Sequence, residues 1–274
     1  MIDWKVQKHS PDQPIVKGAD VIYPPGRQAA EYAPLATNPY KGCGHKCAYC
    51  YVPLVSHQPR NEFDAGAVDR PRFVERLVRD IARYKAAGQT DHQVMLSFMT
   101  DPYHPGDIGL TRATLQLLRE SDLPFCTLTK GGMRAIADID LFRPTRDAFA
   151  CTLTTLDEDF SLKWERNAAL PRYRISALET FASNNIFTWV SLEPTLDVEA
   201  SLAIIDRTYE FVDLYKVGRA NYLKEITRTT DWRDYTLRMI DLLQCRGKKH
   251  YIKADLQPHL PADYPNPLRI PQHH

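Results

Sequence analysis

Three cysteines fall within eight residues in the stretch Asn38-Pro39-Tyr40-Lys41-Gly42-Cys43-Gly44-His45-Lys46-Cys47-Ala48-Tyr49-Cys50-Tyr51. Thiolates on one compact loop can each ligate a different iron of a [4Fe–4S] cube, which leaves the fourth iron open to a small molecule. Zinc is the competing metal. It would need a fourth donor to close its tetrahedron, and His45 inside the loop or His57 beyond it could supply one. Three buried free thiols are the blandest reading, and the flanking Gly, His and Lys argue against a core segment. In a reducing cytosol, clustered cysteines bind metal or do redox chemistry more often than they form bridges. The other cysteines read differently: Cys126 and Cys151 sit in apolar runs as small buried hydrophobes, and Cys245 belongs to a late helix.

The elements that must position this loop follow it in the chain. Apolar Phe73, Leu77, Ile81 and Tyr84 predict a helix that stops near Ala86-Ala87-Gly88. Strand-like runs at 94–99, 124–129, 148–154, 186–192, 212–217 and 250–254 alternate with helical text at 110–120, 135–143, 171–184, 198–210 and 231–245. Such alternation argues for a parallel α/β architecture, and this many units suit a barrel or partial barrel better than an open doubly wound sheet. In both designs the working residues lie at the C-terminal ends of strands. Polar residues gather there: Thr100 and Asp101, Lys130, Thr154 and Thr155, Glu193, and Lys216 to Arg219.

The C-x3-C-x2-C loop, with an aromatic before the third cysteine and a strand–helix series after it, resembles the radical S-adenosylmethionine (SAM) superfamily. The resemblance covers about residues 36–220. It implies a partial (β/α)6 barrel of the TIM type, with Cys43, Cys47 and Cys50 holding a [4Fe–4S] cluster. SAM would chelate the open iron and be split into methionine and a 5′-deoxyadenosyl radical that abstracts hydrogen from a substrate. A flavodoxin- or ferredoxin-type electron donor is implied as partner.

A narrower resemblance lies in Ser97-Phe98-Met99-Thr100-Asp101-Pro102-Tyr103, Leu110-Thr111-Arg112, Thr129-Lys130 and Cys50-Tyr51, which are similar to the spore photoproduct lyase-like branch. It implies that Thr100 and Asp101 meet the methionyl amino group or ribose of SAM and that Lys130 pairs with its carboxylate. Thr154 joins this cofactor set. Tyr49 and Tyr51 match the tyrosines that flank the last cluster cysteine in the lyase, and either could quench a product radical. Where the lyase has its hydrogen-donating cysteine, this chain has Phe98, so thymine-dimer repair is not expected. The branch points to a nucleic-acid base as substrate, most specifically a modified thymine in DNA, with rearrangement as the reaction. A small metabolite or peptide is the rival, and a non-catalytic zinc-stabilised binding protein the reading from another class.

Glu193 could accept hydrogen bonds from the SAM ribose or from substrate, or pair with Arg219 across the barrel mouth. Arg219 and Asn221 form a donor pair suited to phosphate, carboxylate or a base edge. The 274 residues are 43% hydrophobic and 25% charged, which excludes a disordered or fibrous chain. Thirty-five basic against thirty-four acidic residues leave a net charge of +1, so no global field advertises nucleic acid. Arg70, Arg72, Arg76, Arg79 and Arg83 read as a solvated helix face, with a nucleic-acid groove as the alternative. No apolar run reaches the roughly 18 residues of a membrane span. The start, Met1-Ile2-Asp3-Trp4-Lys5, lacks a signal peptide's apolar core, so the cytoplasm is expected. Three parts follow: an N-terminal extension over 1–35, the barrel core over 36–220, and a C-terminal helix and extension over 221–274 that ends in His273-His274.

Overall fold

The computed structural model describes residues 15–264, apart from the Arg27 side chain; the readings of Met1 to Lys5 and of His273-His274 lie outside them. In chain order the strands are β1 (Leu35–Thr37), β2 (Tyr40–Lys41), β3 (Val68–Asp69), β4 (Val94–Leu96), β5 (Phe125–Thr129), β6 (Ala148–Thr152), β7 (Phe187–Leu192), β8 (Leu214–Val217) and β9 (Lys249–Ile252). The helices are α1 (Val52–Val55), α2 (Arg60–Asp64), α3 (Phe73–Ala86), α4 (Gly109–Glu120), α5 (Glu158–Trp164), α6 (Pro171–Ser183), α7 (Val198–Thr208), α8 (Lys224–Thr229) and α9 (Trp232–Cys245). Seven of the described strands form one parallel sheet in the order β1-β4-β5-β6-β7-β8-β9, while β2 and β3 pair antiparallel beside it. This is the α/β partial barrel expected, with one strand, β1, ahead of the six read from the sequence, the last of which, β9, lies beyond residue 220. The 135–143 stretch adopts 3-10 turns over Gly132–Leu141 rather than an α-helix.

Strands buried on both faces need apolar residues at nearly every position, and β6, Ala-Phe-Ala-Cys-Thr, is buried throughout. Their alternation separates two cores. Val94, Leu96, Phe125, Phe149, Cys151, Val190, Tyr215, Val217 and Ile252 face the helices. Met95, Cys126, Ala148, Ala150, Trp189 and Leu214 form a second cluster inside the barrel, where Ala and Cys leave room for the one indole. Continuing that inner register toward the strand ends gives Leu128 and Lys130, Thr152, Ser191 and Glu193, Lys216 and Gly218, and Lys253. On the outer layer, α3 buries Phe73, Leu77, Ile81 and Tyr84 as its spacing predicts, each burial contributing about 1.5–3 kcal/mol. Asp157, Asp197 and Asp231 cap α5, α7 and α9 through backbone N–H groups.

The described part of the N-terminal extension is a strap. Asp80, buried on α3, accepts the backbone N–H groups of Asp20, Val21 and Ile22 at 2.8, 2.6 and 3.0 Å. Tyr23 bridges to Ala36 on β1. At the far edge, the Glu31 carboxylate accepts from Ala254 N and Tyr251 Oη at 2.8 and 3.0 Å. Lys216, inside the barrel, donates to the Glu31 and Tyr32 carbonyls at 3.2 and 2.7 Å. The strap thus spans the gap that seven strands leave between β1 and β9. No described helix is long and apolar enough to cross a membrane.

Candidate active site

The cysteine loop is held from three sides. Gly42 opens it at φ +78°, with the carbonyl of Gly66 so near that a Cβ would lie 2.3 Å from it; only glycine tolerates both demands. Thr100 Oγ1 donates to Gly42 O at 2.6 Å, and Cys43 N donates to Phe63 O at 2.9 Å. Asn167 donates to the carbonyls of Gly44 and His45 at 3.0 and 2.9 Å, and Ala48 N donates to Trp164 O at 2.7 Å. The guanidinium of Arg60 binds the Cys47 carbonyl.

Cys43, Cys47 and Cys50 line one end of a cavity of about 490 Å³, within the range of small-molecule sites. Burial pushes all three thiols up, Cys47 to about 12, so a bound metal would have to displace their protons. Among the described residues no three His, Cys, Asp or Glu side chains converge on one point as ligands of a single metal ion. Three thiols on one loop, facing an open cavity, suit a cluster that takes one cysteine per iron.

Asp101 sits behind the loop. Its carboxylate accepts from Tyr103 N and Thr129 Oγ1 at 2.8 and 2.5 Å and from Lys130 N at 2.8 Å, and lies 3.3 Å from His45 Nδ1. Burial alone would raise this carboxyl; His45 and these hydrogen bonds hold it well below the usual range. Thr100 and Asp101 both line the cavity, but the contacts they make are with the loop and the strand ends. Lys130 enters the cavity from β5, 5.5 Å from the ring of Tyr49. The Tyr49 hydroxyl donates to Glu165, whose carboxylate meets Arg174 Nη2 at 2.6 Å; Glu165 and Arg174 are buried and Tyr49 half-buried. Tyr51 is more open: its hydroxyl is 3.4 Å from Phe98 O, and its ring stacks near Tyr222 with centroids 6.1 Å apart.

The opposite wall carries Glu193. Its partner is Lys253 rather than Arg219, and it also accepts from Tyr32 Oη at 2.6 Å and Asn221 Nδ2 at 3.0 Å. Arg219 instead approaches Asp255 at 3.7 Å, outside the cavity lining. The reason is register: Arg219 follows the inward Gly218, while Lys253 lies on the inward row of β9. Thr154 is likewise absent from the lining; it lies two residues past the end of β6, buried, with its hydroxyl unpartnered. Sequence reasoning did not select Tyr32, Glu165, Asn167 or Lys253. Parity along the strands would have found Lys253, whereas Tyr32 arrives from the strap and leaves no periodic signal. Phe98 lines the cavity, edge-on to Tyr32 at 5.9 Å. Cys126, Cys151 and Cys245 do not line it.

A parallel partial barrel with a three-cysteine loop and, at its strand ends, a largely apolar cavity into which a few charged groups converge defines a class of cofactor-binding α/β proteins. The family model described as the radical SAM superfamily matches residues 37–200, more than half of the chain, and the chain belongs to that superfamily. The superfamily uses a [4Fe–4S] cluster and SAM. An uncharacterised protein of Mycobacterium tuberculosis (strain ATCC 25618 / H37Rv) is 24% identical over 169 residues, 58% of this chain and 48% of that one. The chain therefore spans about half the length of the curated relatives it matches. Among solved structures, spore photoproduct lyase complexed with dinucleoside spore photoproduct has a TM-score of 0.64 at 11% identity, covering 87% of this chain and 80% of that one. SuiB of Streptococcus suis bound to S-adenosylmethionine has a TM-score of 0.62 at 14% identity, covering 82% and 52%. These likenesses establish the fold.

Proposed function

We propose that the protein is a radical SAM enzyme in which Cys43, Cys47 and Cys50 hold the cluster and the substrate is a nucleic-acid base, most specifically a modified thymine in DNA that undergoes rearrangement. The observation that carries the reading is the meeting of the three thiols, Lys130 and the Glu193 wall in one cavity with an aromatic rim. When bound, the cluster and SAM supply a 5′-deoxyadenosyl radical that takes a hydrogen atom from substrate. Lys130 offers an ammonium to the SAM carboxylate. Thr100 and Asp101 set the loop and the strand-end turn against the cofactor's edge, and the buried wall excludes water. Tyr51 and Tyr222 present half-open aromatic faces at the rim, where a flat base can stack. The lyase, complexed with a dinucleoside, matches this chain over most of both lengths, which supports a nucleotide over a peptide. The reaction belongs in a reducing cytoplasm with a flavodoxin- or ferredoxin-type donor.

Incubating reduced enzyme and SAM with thymine-containing duplex DNA and modified deoxynucleosides, while following 5′-deoxyadenosine, tests the reading. Stimulation by a thymine substrate is expected. Stimulation only by peptides or small metabolites would move the reading there, and a colourless zinc protein after anaerobic purification would end it.

A further inference from the structure

The Glu193–Lys253 pair is built from distant parts of the chain. Glu193 follows β7 and Lys253 follows β9, while Tyr32 comes from the strap and Asn221 from the segment after β8. All four line the cavity. Space for the pair is made by Gly218, where a Cβ would lie 2.9 Å from Lys253 Cδ and 3.0 Å from Glu193 Cδ. A buried ion pair is weak evidence for stability, because desolvation offsets most of the attraction. Its place on a cavity wall therefore calls for a different account.

The hydrogen bonds of the pair supply one. A lysine ammonium has three donors. Among the described residues, Lys253 Nζ donates to Glu193 Oε2 and to Tyr32 Oη at 3.4 Å and lies 4.5 Å from the centroid of the Tyr32 ring, its side chain 2% exposed, so one N–H has no oxygen acceptor. Glu193 Oε2 receives both Tyr32 and Lys253, whereas Oε1 receives only Asn221 Nδ2 at 3.0 Å and keeps a lone pair. One donor and one acceptor of the same ion pair thus remain on the cavity wall. We propose that Glu193 and Lys253 form a recognition dyad for a planar cyclic amide or imide, the carboxylate accepting the substrate's N–H and the ammonium donating to the adjacent C=O. The thymine ring presents that edge at its N3–H and a neighbouring carbonyl. The dyad deepens the nucleobase reading and rests on it for the choice of thymine. The charges suit this role: burial disfavours both, yet Glu193 keeps Lys253 protonated and Lys253 keeps Glu193 ionised.

The experiment titrates cluster-loaded protein, with SAM present, against thymidine, N3-methylthymidine and dihydrouracil, a cyclic imide without an aromatic ring. Methylation at N3 removes the donor and should weaken binding about tenfold to a hundredfold, the scale of a hydrogen bond to a charged group. The double variant Glu193→Gln/Lys253→Met removes both charges together and should lower thymidine affinity to the level of the methylated compound. Gly218→Ala should do the same with both charges retained, by forcing the pair apart, and it decides the matter if the double variant does not fold. Equal affinity for thymidine and N3-methylthymidine would overturn the dyad and leave the thymine reading standing. Dyad-dependent binding of dihydrouracil without thymidine binding would support the dyad and remove thymine. A fall in SAM affinity in the double variant, or no binding of any of the three probes, would overturn the proposal.

Discussion

Arg174 keeps its charge with a side chain 1% exposed, held by Glu165 and by the carbonyls of Ala169 and Thr152 at 2.7 and 3.0 Å. Arg174→Met would leave the buried Glu165 carboxylate unpaired beneath Tyr49, at a cost of about 3–5 kcal/mol. Arg174→Met/Glu165→Gln should recover much of that loss, which denaturant midpoints can measure. Lys216 behaves in the opposite sense. Burial pulls its ammonium from 10.5 down to about 8, so across that interval the unfolded chain binds more protons than the folded one and stability rises with pH. Wild type should therefore gain on Lys216→Met as pH climbs from 8 toward 10.5, and a constant gap between their midpoints would contradict the account. At the cluster, Cys47→Ala should abolish both the visible absorbance of the iron–sulfur group and SAM cleavage.

The elements show which parts of the site the sequence made legible. Long periodic segments such as α3, α4 and α9 appear within a few residues of their expected bounds, since their apolar stripes are strong. The strand expected over 94–99 stops at Leu96 because Asn38 Oδ1 takes the N–H groups of Phe98 and Met99, each at 2.8 Å, and bends the chain into the site. Three-residue β1 and four-residue α1 carry too few positions to show a period. The sheet continues past residue 220 to β9, and Lys253 went unselected even though a strand was expected over 250–254, because the inward row was not followed to its end. Lys130 and Glu193 were visible because both stand directly at strand ends. At the cysteine loop, Gly42→Ala should cost on the order of 2–3 kcal/mol, through its positive φ and the Gly66 carbonyl in its path. The variant should also retain less iron after reconstitution, a quantity that elemental analysis reads directly.

Across the whole molecule, the inner register divides the barrel into a packed floor around Trp189 and a cavity above it where Lys130, Glu193 and Lys253 stand among apolar side chains. Among the described residues, the cysteines outside the loop stay away from that cavity, while Phe98, which the resemblance sets where the lyase has its donor cysteine, lines it. A product radical should therefore recover hydrogen from 5′-deoxyadenosine, or from Tyr51, whose hydroxyl is loosely held, rather than from a thiol. Deuterium at the abstracted substrate position should wash into recovered SAM in the first case. Loss of turnover with continuing SAM cleavage in Cys126→Ala, Cys151→Ala or Cys245→Ala would instead identify a thiol donor. The strap carries a consequence for how the molecule is made. Its anchors on Tyr251, Lys253 and Ala254 lie more than 200 residues downstream of Glu31 and Tyr32. Contacts that distant in sequence cannot form until the ribosome has released β9, so an early-synthesised segment must wait for a late one. Nascent chains stalled before residue 249 should hold the strap open to protease at residues 24–32, and release of the chain through β9 should close it.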